Sequence, residues 1–214
     1  MEQQYETLNS DNRKQKIINY LFNNKKKIIS ILILLLLMLF SFFYYNDLNK
    51  KKVIEISDKF NKATLVFEKG DKILSKQYML SIIDETNSSY SVLALNFLID
   101  NDLFASKKEA NNFFDKVINK NKLEYEMVNL LIYKKALFNS SSADANELID
   151  LLNPIVKSDS IWKSHAYLLI SDYFLSNNQN QKAREFLEKI IVLDNGNINI
   201  KNEAQKILQT EFSN

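Results

Sequence analysis

What this sequence lacks narrows its chemistry first: it has no cysteine, one histidine, one proline and two glycines. Without cysteine there is no disulfide, no thiolate metal site, no cysteine nucleophile and no lipid-modified cysteine anchor. A lone His165 cannot build a two-histidine zinc site, and the usual acyl-transfer triads are not legible around it. Gly70 and Gly196 stand alone, so no phosphate-binding loop is present. Sandwiches, barrels and doubly wound sheets need many turn-forming glycines and prolines, so an all-α chain is expected. The balance of 28 basic against 26 acidic residues, a formal charge of +2, gives no reason to expect nucleic acid as a partner. Acid pairs such as Asp100 and Asp102 read as solvated charges at helix ends. No enzyme, cofactor or metal is therefore expected.

What the sequence does have is one long apolar run. Residues 28–45 are apolar or aromatic except for Ser30 and Ser41, with no acid, base, Gly or Pro inside. At about 1.5 Å per residue the run reaches roughly 27 Å, close to the thickness of bilayer hydrocarbon. Phe40, Phe42, Phe43, Tyr44 and Tyr45 supply the aromatic end that suits a membrane interface. A cleaved signal would present small residues where these rings stand, and a buried core helix would keep a polar stripe. The run therefore reads as a membrane span in contact with the lipid bilayer, the neighbouring lysines facing anionic headgroups. Six cations precede it within fifteen residues (Arg13, Lys14, Lys16, Lys25, Lys26, Lys27), and four follow (Lys50, Lys51, Lys52, Lys59). That bias places the N-terminus in the cytoplasm. The expected organisation is a cytoplasmic tail (1–27), a transmembrane helix (28–45) and a translocated domain (46–214), periplasmic if the cell is bacterial. In the tail, Ile17, Ile18, Leu21 and Phe22 suit one amphipathic turn at the membrane surface. A tail without fixed structure accounts for them as well.

Beyond the span the apolar residues recur at helical spacing. Val53, Ile56, Phe60, Ala63 and Phe67 mark a helix that can continue from the membrane, stopped by Gly70 and Asp71. Ile73 to Ile83 make the next. Asn87, Ser88 and Ser89 cap a third, and Ser106 with Glu109 fits a capping box opening a fourth. A fifth covers about 123–138. Serines 140–142 separate it from a sixth around Leu148 and Leu152, which Pro154 bends or ends. Ser160 suits the cap of a seventh, Asn177 to Asn180 make a turn, and two helices around Leu187 and Ala204 follow.

These segments pair as hairpins of a repeating unit. Tyr167, Ile170, Ser171 and Phe174, then Ala183, Leu187 and Ile190, follow the tetratricopeptide pattern of large and small residues. Helices cross closely only where side chains are small. Ala63 and Ser75 repeat the twelve-residue separation of Ser171 and Ala183, Ala94 and Ala110 do so with four residues more, and the pair around Ala136 and Ala145 is degenerate. A basic tail, a single span and then such hairpins resemble the ancillary SecYEG translocon subunit family, in its alphaproteobacterial form. The likeness is carried by residues 60–63, Gly70 with Asp71, residues 89–94 with Tyr90 and Leu93, residues 162–166, and Lys182 to Arg184. The chain departs from the family in lacking prolines near the seventh helix and the C-terminus.

The resemblance implies an inner-membrane protein beside the translocon that works with translocating polypeptides and a membrane-anchored, prolyl-isomerase-like periplasmic chaperone. An envelope-biogenesis or cell-division scaffold of the same class is the alternative. The repeat spacing assigns an inner face to the first helix of each hairpin: Ser57, Phe60, Thr64 and Phe67; Ser88, Ser91, Leu95 and Leu98; His165, Leu168, Asp172 and Leu175. An apolar docking groove is expected there. Packing of the same residues against neighbouring helices accounts for them equally well.

Overall fold

The computed structural model describes residues 15–16, 19–20 and 23–212. The amphipathic turn suggested for Ile17, Ile18, Leu21 and Phe22 lies outside the described residues. All regular structure among the described residues is helical: α1 (Lys25–Glu68), α2 (Lys72–Asp84), α3 (Ser88–Asp100), α4 (Lys107–Lys120), α5 (Tyr125–Asn139), α6 (Ala145–Val156), α7 (Lys163–Ser176), α8 (Asn180–Ile191) and α9 (Ile198–Phe212).

Two compact units divide the chain, Met1–Glu55 and Ile56–Asn214. In the first, α1 is long and apolar enough to cross a membrane, and its large apolar side chains are exposed, Phe40 at 71%. Helix α1 extends past both ends of the apolar run, because no Gly or Pro interrupts it and Asp47 pairs with Lys51 one turn on at 2.8 Å.

In the second unit, helical hairpins pack around three apolar cores. The turns show how a chain with so little glycine reverses direction. Helix α1 ends with Gly70 at φ 91°, the Gly70 amide donating to Phe67 O and the Asp71 amide to Val66 O. The same pair of bonds closes α3 with Asp102 at φ 50° and α7 with Asn178 at φ 57°, and Thr86 at φ 53° follows α2. Asp and Asn tolerate this left-handed geometry better than other non-glycine residues, so the α3–α4 and α7–α8 turns need no glycine, and the α5–α6 turn uses no left-handed residue at all.

The small-residue positions lie where close crossing requires them. Ala63, Ser75, Ala94, Ala110, Ser171 and Ala183 are all fully buried, and the Ser171 hydroxyl donates to Ala183 O at 3.2 Å. The α5–α6 hairpin departs from the expected register. Ala145 is only half-buried in the first turn of α6, whereas Leu148, twelve residues after Ala136, is fully buried with it in one core. A first core joins α1 to α4 and ends at Leu131; a second begins at Ala136 and runs through α6 and α7 to Ala183; a third holds Leu168, Leu187, Ile190 and Ala204. The first two cores thus meet within α5. Polar bonds reinforce that joint: Lys134 Nζ to Asn96 Oδ1 at 2.8 Å, Lys135 Nζ to Asp115 Oδ1 at 2.6 Å, and a reciprocal amide pair between Asn111 and Asn139.

Two local expectations are corrected. Ser106 does cap α4, but Glu109 accepts from the Ala105 amide and Lys76 Nζ rather than from the amide of Ser106 itself. A complete capping box forms instead at Asp144 and Glu147, opening α6. Ser160 does not occupy the N-cap of α7. Trp162 does, and Ser160 accepts from its amide while donating to Glu126 of α5 at 2.6 Å, which ties two hairpins together. Pro154 sits in the last turn of α6, where it has no amide to give to Asp150 O, and the helix ends two residues later, as expected.

Candidate docking surface

The expected inner face comes apart when each residue is placed. Leu95 and Leu98 are fully buried in the first core, and Leu168 packs in the third against Leu187 and Ala204, so these three are interior residues and cannot line a groove. The physical reason is that neighbouring helices cover the stripe at Leu95, Leu98 and Leu168 and leave other parts of it open. Phe60 and Phe67 are half-buried and spend their rings on α3: Phe60 lies 6.0 Å from Tyr90 and 6.3 Å from Phe97, and Phe67 lies 5.2 Å from Phe97 edge to face. Leu175 is half-buried against the second core. Ser91 is buried, Ser88 is exposed, and Ser57 and Thr64 are partly exposed. Of the remaining two, Asp172 is exposed beside a cleft and His165 is partly exposed on the same helix.

Around those two residues the structure assembles a site whose other members are not in the expected set. Tyr133 of α5 stacks on Trp162 with ring centres 5.9 Å apart and planes 22° apart, and His165 meets Trp162 at 5.0 Å and Tyr133 at 6.0 Å. Trp162 thus packs between adjacent hairpins, its ring still partly exposed. Leu137, one turn beyond Tyr133, is 49% exposed. Asp172 lies two turns along α7 from His165. A 380 Å³ cleft opens beside it, lined by serines 140–142 of the α5–α6 loop and by Leu169, Tyr173, Ser176 and Asn177.

Charge completes the picture. Burial pushes the Tyr133 hydroxyl up, and Asp172 and Glu203 of α9 push it further, so the phenol stays protonated. Burial lowers His165 below its ordinary value, opposed by Glu203, and its Nδ1 is buried without a hydrogen-bond partner. Burial raises Asp172, with the negative charge of Glu203 adding to the effect. Among the described residues neither Asp172 nor Glu203 has a cationic partner within ion-pair distance. Nor do three His, Asp or Glu side chains converge as metal ligands there.

Tyr133, Leu137 and Glu203 were readable in principle. Counting from Ala136 as the small residue of α5 puts Tyr133 where Phe60 and Leu168 stand and Leu137 where Leu95 and Asp172 stand. The degenerate hairpin hid that register. Nothing in the sequence around Glu203 brings α9 to Asp172. Comparison with protein-family models, curated proteins and solved structures finds no match to this chain.

Proposed function

We propose that this chain is a single-span membrane adaptor that binds polypeptides, an ancillary subunit of the Sec translocon with its N-terminus in the cytoplasm and its hairpin domain, a tetratricopeptide-like solenoid, in the periplasm. Its partners on this reading are SecYEG, translocating polypeptides and the prolyl-isomerase-like chaperone. The observation that carries the reading is the pairing, in one chain, of a lipid-compatible helix with a domain that keeps aromatic and apolar side chains of its repeat face, Tyr133, Trp162 and Leu137, open to contact. The translocon assignment itself rests on the order of parts and the residues of the resemblance. The mechanism is tethering: an anchor confines weak binding contacts to the exit site and so raises their effective concentration.

Photo-crosslinking in native membranes from a probe at Leu137, followed by identification of the captured proteins, tests this. Translocon subunits, the chaperone and emerging chains are the expected products. Their absence from the crosslinked set would overturn the translocon assignment, and absence of any captured polypeptide would overturn the adaptor reading. Protection of the domain from protease in intact cells, lost in spheroplasts, is the result expected of the orientation.

A further inference from the structure

We infer that the surface between α5, α7 and α9 receives an extended polypeptide segment carrying Arg or Lys beside an apolar residue, the apolar side chain against Leu137, Tyr133 and Trp162, and the cation toward Asp172 and Glu203. The inference rests on the adaptor reading and names the chemistry of the segment it binds.

Two independent features converge on it. The first is the aromatic platform of Tyr133, Trp162 and His165, stacked across two hairpins at 5.0–6.0 Å and partly open to solvent. Ring faces attract cations, Trp most strongly, and a planar guanidinium stacks on them as well. Elsewhere in this unit several rings carry a cation of the chain itself: Lys62 lies over Tyr78, Lys182 over Phe174 and Lys189 over Phe186. None is recorded over Trp162 or Tyr133 among the described residues.

The second feature is the pair of carboxylates. Asp172 and Glu203 come from different helices, the charge of Glu203 disfavours that of Asp172, and among the described residues neither has a cationic partner within ion-pair distance. A segment that brings one offsets the repulsion between the two carboxylates, which is why a cationic occupant fits better than a neutral or acidic one. The cleft beyond Asp172 is lined by serine hydroxyls and by Asn177, groups able to take the backbone N–H and C=O of an extended chain.

Trp162 is the only tryptophan in the chain, so its emission reports occupancy directly. Full-length protein in nanodiscs is titrated with an apolar peptide bearing two arginines, and with versions in which citrulline or glutamate replaces them. The arginine peptide is expected to shift Trp162 emission saturably and to bind roughly tenfold tighter than the citrulline peptide, a preference that weakens with added salt. The glutamate peptide should be the weakest of the three. In Asp172→Asn/Glu203→Gln the preference for arginine over citrulline should vanish while helicity by circular dichroism and citrulline binding persist. Equal affinity for the three peptides, or an arginine preference that survives in the double variant, would overturn the inference. If no peptide binds although the Leu137 probe captures polypeptides, the basic-segment assignment fails and the adaptor reading stands; if nothing is captured, both fail.

Discussion

Leu95 and Leu137 occupy the same place in their hairpins, each one residue after the small alanine of its first helix, yet one is sealed in a core and the other is half in water. The two halves of the domain use one repeat differently. In the first half α1 lays Phe60 and Phe67 on Tyr90 and Phe97, and the inner stripe of α3 becomes interior. In the second half the corresponding stripes of α5 and α7 meet as Tyr133, Trp162 and His165, with Asp172 left at the edge of a cleft. A repeat position therefore says which way a side chain points from its helix, and the neighbouring hairpin decides whether anything lies there.

The sharpest break of the comparison is Leu95→Ala against Leu137→Ala. The first empties a core position and should cost about 2–5 kcal/mol in a denaturant titration; the second removes an exposed side chain and should stay within roughly 0.5 kcal/mol. Similar costs at both sites would mean that the halves do not differ as described.

The serines of the close crossings offer a smaller contrast. Ser171 donates to Ala183 O, whereas Ser75 Oγ is buried without a partner. Ser75→Ala is expected to raise stability by about 1–2 kcal/mol, and Ser171→Ala to lower it by about 1 kcal/mol. Thr86, the β-branched residue held in left-handed geometry after α2, should give about 1 kcal/mol of stabilisation as Thr86→Gly, read as a higher melting temperature. Asn178→Gly, at the matching turn of the second half, should gain less, because asparagine already tolerates that geometry.

The smallest effect is electrostatic. The carboxyl of Asp172 titrates above its ordinary 3.8 in the folded state, so the native chain binds more protons than the unfolded one and stability falls as pH rises through that window. Asp172→Asn should remove the fall and raise the melting temperature slightly at neutral pH, with no gain below pH 3.8. His165 has the opposite sign. Its folded value lies below 6.5, so its contribution is fully present above pH 6.5 and is lost as pH falls through the folded value, a slope that His165→Phe should flatten. Tyr133 and Glu203 face the same region, so both profiles are best followed by Trp162 emission as well as by helicity.

Much of the fold was legible because helices are local objects. The spacing of Phe60, Ala63 and Phe67, the capping signals at Asn87 and Ser106, and the small residues at Ser171 and Ala183 each act within one or two helices, and each holds in the structure. Asp144 and Glu147 carried an equally local signal, masked by the serine-rich loop before them. The docking surface was less legible. His165 and Asp172 were found by spacing, whereas Tyr133 required a register set by packing and Glu203 comes from the last helix.

Composition and periodicity alone settled that the chain is helical, that one segment suits lipid, and where its helices pause, since those outcomes follow from each residue's own backbone preference and hydrophobicity. Which face of each helix is sealed and which stays open depended on the stacking of one hairpin on another. Burial is a property of the neighbour as much as of the residue, and neighbours far apart in the chain meet only when it folds.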